Sequence, residues 1–194
     1  MVFDRKSQKS KHSSFDKLAD FLRPGDLIVF NNTFVIPARF FGRRQTGGEI
    51  EGLLLQQPSD SASVWIKGKL QEGETFEIHG FGKVTVISKN GKQAKLSCSR
   101  DALARALKVS GSVPIPPYIV AERKRRALKE TEPSDAHEYQ SIFAKETQDF
   151  SVAAPTASLH FDEVLLESLR DRGVESTEIT LHVGEGTFAP VEAG

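Results

Sequence analysis

Between Gly47 and Cys98 the sequence alternates apolar and polar residues in short segments that end at glycine or serine turns. This pattern constrains the fold more than any other feature of the chain. It predicts five strands, at residues 49–56, 63–67, 75–79, 83–88 and 93–98. Asn90 and Gly91 predict a tight hairpin between the last two strands, because both residue types accept a positive φ. Short strands joined by tight turns predict a small antiparallel β-barrel.

The segment ahead of this barrel alternates helix and strand. Ser14 is predicted to cap a short helix that ends at Pro24, and strands are predicted at residues 26–31 and 35–44. Residues 1–13 lack periodicity and are expected to form a short strand or a frayed arm. The 26–31 segment is almost continuously apolar, as is typical of a strand buried on both faces.

Helices and strands also alternate behind the barrel. Ser99 is predicted to cap a helix that Gly111 closes, and three prolines stiffen residues 113–119 into an extended linker. The remaining predicted elements are a charged helix to about residue 129, an amphipathic helix at 161–172 and a strand at 178–183.

The order of these elements predicts a mixed α/β fold. A split α/β domain, formed by residues 1–44 and 120–194, is interrupted by an inserted small antiparallel β-barrel. The barrel and its linker take up residues 45–119.

Composition excludes several classes of protein. Of the 194 residues, 38% are hydrophobic and 27% are charged, which is typical of a folded globular chain. The apolar runs fall far short of the roughly 20 residues that a membrane span needs, so no membrane partner is expected. Cys98 is the only cysteine, so neither an internal disulfide nor a structural metal is expected. The first residues lack the apolar core of a secretory signal, which predicts a cytoplasmic location.

The net charge is zero, but charge is distributed unevenly along the chain. Residues 1–44 hold nine basic and four acidic residues, whereas residues 150–194 hold two and eight. The amino-terminal excess and the basic run Arg123 to Arg126 have two interpretations, a phosphate-binding surface or solvated helix faces. Zero net charge favours the second, because generic nucleic-acid binders are basic overall.

Polar side chains follow a predicted strand in the motif FNNTFVIPARF, residues 30–40. Open α/β sheets bind their ligands at strand ends. Asn31, Asn32 and Thr33 are therefore candidates for substrate binding through amide and hydroxyl groups. Arg39 is a candidate for binding a carboxylate or phosphate. The alternative interpretation is that Asn-Asn-Thr forms an ordinary turn.

The motif VAAPTASLHF, residues 152–161, is a strand end that leads into a helix. Thr156 or Ser158 is a candidate helix cap, and free amides at this end would attract an anion. His160 follows them in the sequence and is a candidate for proton transfer. The alternative is a hydrogen-bonded core histidine.

The motif TLHVGEGTFAPV, residues 180–191, is a strand followed by Gly-x-Gly. Gly184 and Gly186, next to Thr187, would let backbone amides approach a ligand closely. His182 is predicted to project from the strand on the face opposite its apolar neighbours, where it is a candidate for proton transfer. A nucleotide-binding loop is not indicated, because no helical pattern follows.

Five motifs, in this order, resemble the S-adenosylmethionine:tRNA ribosyltransferase-isomerases of the queuosine pathway: LRPGDLIVFNNTFVIPARFFG, GSVPIPPYI, DAHEYQSIFA, VAAPTASLHF and TLHVGEGTFAPV. The resemblance implies an α/β domain with an inserted β-barrel, in agreement with the pattern above. It also implies that the ribosyl part of the co-substrate S-adenosylmethionine is transferred to 7-aminomethyl-7-deazaguanine in the partner tRNA. The product is epoxyqueuosine in tRNA, and adenine and methionine are released.

The resemblance also implies roles for the motif residues. His160 and His182 carry the proton transfers, and we expect the two imidazoles to converge on one pocket beneath the barrel. Tyr139 and Gln140 stack on the target base or hydrogen-bond it. Arg39 holds an anionic group of methionine or tRNA. The other substrate-binding candidates are Asn31, Asn32, Thr33, Thr156, Gly184, Gly186 and Thr187.

The chain departs from the family pattern at several positions. Asn32 and Phe34 stand where the family has an aspartate and an arginine, so two charges are lost. The other departures are Ser158, Asp162, Glu185 and Ala189. The motifs also cover only part of the usual family length, which predicts an exposed sheet edge and self-association.

Two hypotheses follow from this pattern. In the first, the chain is an active or split transferase, which the retained histidine motifs favour. In the second, it is a degenerate paralogue that binds tRNA, a nucleoside or a protein without turnover, which Asn32 and Phe34 favour. An unrelated two-domain binding protein would require five coincidental motifs.

Overall fold

The structure, a computed structural model, describes residues 1–55, 60–148 and 151–188. Its strands are β1 (Val2–Asp4), β2 (Lys9–Lys11), β3 (Leu27–Asn31), β4 (Arg39–Arg44), β5 (Glu49–Leu54), β6 (Ala62–Lys67), β7 (Thr75–Ile78), β8 (Gly82–Asn90), β9 (Gln93–Leu96) and β10 (Glu175–Ile179). Its α-helices are α1 (Arg100–Ser110), α2 (Pro117–Arg125), α3 (Asp135–Glu138) and α4 (Glu163–Asp171). Short 3₁₀ helices lie at Phe15–Phe21, Glu146–Gln148, Thr156–His160 and Glu185–Phe188. The end of the strand predicted at 49–56 lies outside the described residues.

Six strands close into a barrel in the order β4-β5-β6-β9-β8-β7, and neighbouring strands are antiparallel. The predicted mixed α/β class with an antiparallel barrel is therefore confirmed, as is the hairpin that joins β8 to β9. The barrel begins at β4, ahead of the expected boundary at residue 45. Pro37 separates β4 from the preceding residues, which form only an isolated bridge between Val35 and Ser151.

The barrel interior is a continuous apolar core, because alternate side chains of each strand point inward. Gly52 is required beneath Phe40, since a Cβ at this position would lie 2.1 Å from the Phe40 ring. Leu103 and Leu107 of α1 belong to the same core, and so does Val152 at the start of the 152–161 motif. The motif is thus anchored on the barrel. The buried strand residues include Phe40, Ile50, Leu54, Val64, Ile66, Phe76, Ile78, Val84, Val86 and Leu96.

A second sheet joins a strand that precedes the barrel to one that follows it. β3 and β10 pair in parallel, from Leu27 opposite Glu175 to Asn31 opposite Ile179. One face packs on α4 and the 3₁₀ helix Phe15–Phe21 through a small core formed by Ala19, Leu165, Leu169 and Val174. The other face leaves Leu27 56% exposed. The expected burial of β3 on both faces is wrong, because in the described residues β10 is its only partner and no second layer covers Leu27.

The helix that follows the barrel has the predicted ends. Ser99 Oγ accepts a hydrogen bond from the N–H of Ala102 at 3.2 Å, and Gly111 follows the last helical residue. α2 begins at Pro117, inside the predicted linker, because proline is well suited to the first turn of a helix. Among the described residues, no helix is long and apolar enough to cross a membrane.

The positions of α4 and β10 differ from prediction by a few residues. α4 begins later because Asp162 Oδ1 caps it, accepting from the N–H of Leu165 at 2.8 Å. Gly173 then adopts φ +76°, a conformation that ends the helix sharply. The chain turns at once into β10, which therefore begins and ends earlier than predicted.

Candidate functional site

The carboxyl ends of β3 and β10 lie side by side at one edge of the parallel sheet, where open α/β folds bind ligands. Asn31, Asn32 and Thr33 lie at the end of β3, and Thr180 and His182 follow β10. Asn32 and Thr33 are buried, whereas the imidazole of His182 is exposed. Two motifs that are distant in the sequence thus meet in one place.

Asn31 holds the chain segment that follows β10. Its Nδ2 donates to the carbonyl of Leu181 at 2.8 Å, and its Oδ1 accepts from the N–H of Leu181 at 3.0 Å. The same Oδ1 accepts from the N–H of Thr33 at 3.2 Å. Both ends of the amide are therefore bound to backbone groups, and Asn31 fixes the residue immediately before His182.

Asn32 lies in a polar cluster with charged neighbours. Its Nδ2 donates to Glu178 Oε2 at 3.0 Å, and its Oδ1 accepts from the hydroxyl of Thr180 at 2.7 Å. Lys145 Nζ forms an ion pair with the same carboxylate. The Lys145 ammonium, followed by the Asn32 amide, holds the pKa of Glu178 below its usual range. An aspartate at position 32 would place a second carboxylate against Glu178, so asparagine fits these surroundings.

Thr33 links His182 to a buried serine. Thr33 Oγ1 lies 2.7 Å from Ser151 Oγ and 3.0 Å from His182 Nδ1. Ser151 Oγ accepts from the N–H of Val183 at 2.8 Å. Thr33 and Ser151 are 1% and 0% exposed, so both hydroxyls are shielded from solvent. We call Ser151, Thr33 and His182 the hydroxyl relay.

The hydroxyl relay suits His182 to either role in proton transfer. A hydroxyl group can both donate and accept a hydrogen bond. When Nδ1–H donates to Thr33, Nε2 carries the lone pair of a base. When both ring nitrogens are protonated, Nδ1–H again donates to Thr33 and Nε2–H is the proton of an acid. In both cases the buried hydroxyls fix the orientation of the ring, as a proton-transfer group requires.

His160 lies in different surroundings from His182. It ends the 3₁₀ helix Thr156–His160, and its ring centroid lies 5.3 Å from that of Phe15. Both His160 and Thr156 are exposed. The cap of the following helix is Asp162, not Thr156 or Ser158. The convergence of the two imidazoles on one pocket stays a prediction, and neither ring lines the two cavities described below.

The DAHEYQSIFA motif braces β3 and the segment after it. Gln140 Oε1 accepts from the N–H of Val35 at 3.1 Å, and its Nε2 donates to the carbonyl of Val35 at 2.7 Å. Tyr139 packs against the cluster that contains Val35, and burial raises the pKa of its phenol. Phe143 stacks on Phe30 with 3.8 Å between ring centroids. Contact of Tyr139 and Gln140 with a target base stays a prediction.

A cavity of about 420 Å³ opens beside this brace. Its wall includes Phe34, Lys108, Glu132 and Gln140. Phe34 presents an aromatic ring in this wall, at the position where the resemblance leads us to expect an arginine.

Arg39 is bound to carboxylates at the outer face of the barrel. Its Nε donates to Glu51 Oε1 at 2.8 Å, and its Nη2 lies 3.4 Å from Glu130 Oε2. The guanidinium carbon lies 5.0 Å from the ring centroid of Phe41. Binding of a substrate anion by Arg39 stays a prediction, and any such anion would have to share the guanidinium with these carboxylates.

The basic run Arg123 to Arg126 is paired with nearby carboxylates. Arg123 binds both oxygens of Asp135, with nitrogen to oxygen distances of 2.8 and 2.6 Å, and Asp135 is 3% exposed. The Arg123 guanidinium holds the pKa of Asp135 below its usual range. Arg125 and Arg126 both pair with Glu122. For Arg123, Arg125 and Arg126 these pairs favour the interpretation as a helix surface over that as a phosphate-binding site.

Sequence reasoning missed three polar residues of this region: Ser151, Glu178 and Lys145. Ser151 directly precedes the 152–161 motif, and this proximity was the available signal. Its partnership with Thr33 depends on the bridge between Val35 and residue 151, which spacing does not reveal. Glu178 and Lys145 become neighbours only through the parallel pairing of β3 with β10.

The backbone of the Gly-x-Gly segment is open to its surroundings. A Cβ at Gly184 or Gly186 would meet no atom within 4 Å. Thr187 is exposed in the 3₁₀ helix Glu185–Phe188, and Ala189 lies outside the described residues. Ligand binding by this segment stays a prediction. In the part of the chain that the structure describes, no group of three or more His, Cys, Asp or Glu side chains is placed to hold a metal ion.

Comparison with known proteins gives consistent similarities. Residues 1–194 match a family model described as queuosine biosynthesis protein. An S-adenosylmethionine:tRNA ribosyltransferase-isomerase of Aquifex aeolicus is 42% identical over 196 residues, which cover 99% of this chain and 55% of that protein. The protein of the same name from Acidithiobacillus ferrooxidans is 45% identical, over 89% of this chain and 48% of its own. The chain thus spans about half the length of the curated relatives it matches.

A solved structure is also similar in part. The crystal structure of S-adenosylmethionine tRNA ribosyltransferase from Thermotoga maritima matches 94% of this chain and 50% of that chain. The sequence identity is 22% and the TM-score is 0.33.

Proposed function

Because the chain belongs to the queuosine biosynthesis protein family, we propose that it takes part in transfer of a ribosyl group from S-adenosylmethionine to tRNA. The acceptor is 7-aminomethyl-7-deazaguanine in the tRNA. Isomerisation of the transferred group gives epoxyqueuosine, with release of adenine and methionine. The observation that carries the proposal is the hydroxyl relay, because residues from two family motifs and the residue preceding a third form it.

The chemistry requires proton transfers in a site that excludes water. A base must remove a proton made acidic by the sulfonium, and a donor must help adenine to leave. His182 supplies one of these functions with its ring held by Thr33. His160 supplies the other, and the proposal requires substrate to bring the two imidazoles into one site. The assignment of base and acid to the two rings is open.

The substrate-binding candidates divide into two groups by their contacts. The side-chain amides of Asn31 and Gln140 form hydrogen bonds with backbone groups. These two residues therefore position the segments that touch substrate. Asn32 does the same through Glu178 and Thr180. The groups that we propose to contact substrate directly are Thr33, Arg39, Tyr139, Thr156, Gly184, Gly186 and Thr187.

The remaining parts of the proposal concern organisation and location. The segments on either side of the barrel, residues 1–38 and 120–194, form one split domain, because β4 belongs to the barrel. S-adenosylmethionine is the co-substrate, no metal takes part, and the location is cytoplasmic, where tRNA is found. In the described residues β3 and β10 pair only with each other, which leaves an edge of each strand for self-association. Light scattering over a concentration series tests this point, and a constant monomer mass would contradict it.

Adenine release tests the proposed function. The chain is incubated with S-adenosylmethionine and tRNA that carries the deazaguanine precursor, and adenine is measured by chromatography. The matched control is the same tRNA with guanine at that position. Adenine formed only with the precursor tRNA supports the proposal. No adenine with either tRNA, from folded protein at saturating substrates, would overturn it.

Binding without turnover is the second candidate function. The surroundings of Asn32 favour it, because its amide joins Glu178 and Thr180 into a stable cluster without the aspartate of the family pattern. The same experiment separates the two functions. Retained affinity for precursor tRNA with no adenine release selects the binding function.

A further inference from the structure

A groove of about 600 Å³ runs between the outer face of the barrel and the segment that enters α2. On β6, Val64 and Ile66 point into the core, so the alternating Trp65 and Lys67 point outward. Pro114 and Val120 line the groove as well. We call it the Trp65 groove. Its wall combines a partly exposed indole with rigid apolar residues, and Trp65 and the lysines that line it lie outside the five family motifs.

The charged residues of the Trp65 groove are mostly basic. Arg39, Lys67, Lys92 and Lys124 line it together with two acids, Glu51 and Glu130. The three lysines are exposed. Lys67 lies 3.4 Å from Glu51 and Lys124 lies 2.9 Å from Glu130. Exposed pairs of this kind are weak, so the ammonium groups remain able to bind an added anion.

We propose that the Trp65 groove binds an unpaired nucleobase of single-stranded RNA, with the neighbouring phosphates on its lysines. This inference rests on the proposed function, because it names a second contact for the tRNA substrate. Aromatic side chains within a positively charged groove are the usual means of binding single strands. Trp65 supplies the stacking surface, and Lys67, Lys92 and Lys124 supply the charge.

The charge of the groove favours RNA over S-adenosylmethionine as its ligand. S-adenosylmethionine carries a sulfonium and an ammonium beside one carboxylate, so its net charge is positive and matches the groove poorly. A phosphodiester chain has the complementary sign at every nucleotide.

The position of the groove also suits a substrate that reaches the hydroxyl relay. Arg39 lines the groove and Thr33 belongs to the relay, and six peptide units join the two residues. Even a fully extended chain of this length spans no more than about 20 Å. A short single strand can therefore hold one base at Trp65 while another base lies near His182.

Fluorescence of Trp65 gives a direct test, because it is the only tryptophan of the chain. The full chain is titrated with an unmodified single-stranded oligoribonucleotide, and affinity is measured in parallel by anisotropy of labelled RNA. We expect saturable quenching, and an affinity about 10-fold lower for Trp65→Ala. Trp65→Phe should retain affinity within about 3-fold, because phenylalanine also stacks. Circular dichroism shows whether each variant is folded.

Lysine variants test the phosphate contacts. Lys67→Gln and Lys92→Gln should each weaken binding and reduce the slope of log affinity against log salt by about 0.7. Lys69→Gln is the matched control, since Lys69 is exposed nearby but does not line the groove. Equal effects at Lys67 and Lys69 would overturn the proposal.

The remaining outcomes separate this proposal from the proposed function. RNA binding that neither quenches Trp65 nor weakens in Trp65→Ala overturns the groove proposal, even where adenine release proceeds. Quenching by S-adenosylmethionine but not by RNA also overturns it. Quenching by RNA without any adenine release supports the groove and counts against turnover. No RNA binding by the wild-type chain overturns the groove proposal as well.

Discussion

The barrel and the two-stranded parallel sheet are stabilised in different ways. The barrel is closed, so its strands have no free edge, and Phe40 and Leu54 are almost completely buried in its core. The parallel sheet leaves Leu27 exposed on one face, and polar side chains such as Asn31 and Thr33 hold its end together. The comparison shows an apolar unit that supplies stability beside a polar unit that carries the candidate site.

Removing a ring from the barrel core should have the largest effect on stability. Phe40→Ala should lower the free energy of unfolding by about 3–5 kcal/mol, because it leaves a cavity over Gly52. Leu27→Ala, at the exposed face of the parallel sheet, is the matched control and should change stability by less than about 0.5 kcal/mol. Urea denaturation measures both. Similar losses of unfolding free energy in the two variants would show that the barrel core does not contribute more stability than the exposed face of the parallel sheet.

Substitution of either histidine should have the largest effect on activity. His182→Ala and His160→Ala should each reduce adenine release by about 100-fold or more, because each removes a side chain that we propose for proton transfer. His79→Ala, an exposed residue after β7, is the control and should keep the wild-type rate. A near-wild-type rate in either of the first two variants would remove that histidine from the mechanism.

The buried pair of Arg123 and Asp135 should make stability depend on pH. The pKa of Asp135 is lower in the folded protein than in the unfolded chain. The carboxylate therefore contributes stability at pH values above the unfolded pKa of about 3.9. That contribution is lost as the pH falls through the lower folded pKa. Asp135→Asn should therefore cost about 2 kcal/mol at neutral pH and much less at strongly acid pH. Urea midpoints of the two proteins across this range provide the measurement. A difference between the two urea midpoints that stays constant with pH would contradict the account.

A smaller effect on activity is expected from the buried end of the hydroxyl relay. Ser151→Ala keeps His182 and Thr33 but removes the hydroxyl that lies 2.7 Å from Thr33. Adenine release should fall by about 10-fold, with a shifted pH profile, because the ring is oriented less well. Ser158→Ala serves as the control, since Ser158 is buried outside the relay. If both variants show the same profile as wild type, Ser151 has only a packing role.

The barrel could be predicted from the sequence because its signals are local. Alternation along each strand, the turn at Asn90 and Gly91 and the cap at Ser99 all depend on neighbouring residues. The membership of β4 in the barrel could not be predicted, since it depends on the pairing of β4 with β5 and β7, which no local pattern reveals. The exposed face of β3 is also invisible locally, because an apolar strand looks the same whether or not a second layer covers it.

The residues of the candidate site could be selected from the sequence, but their contacts could not. Strand ends and polar motifs indicate Thr33 and His182, and the structure joins them directly. Their link to Ser151 arises from chain segments more than a hundred residues apart, so no spacing rule gives it. Likewise, Gln140 has the character of a ligand-binding residue, yet its amide pairs with the backbone of Val35. Side chains that can bind substrate can equally bind the protein's own backbone.

The tautomer of His182 tests the hydroxyl relay most directly. Nitrogen-15 NMR of histidine-labelled protein reports which ring nitrogen carries the proton, in wild type and in Thr33→Val. Our account predicts a tautomer ratio for His182 in wild type that differs from that of exposed His12, and a ratio like that of His12 in the variant. Identical tautomer ratios for His182 in both proteins would contradict the account, because the Thr33 hydroxyl would then have no effect on which ring nitrogen carries the proton.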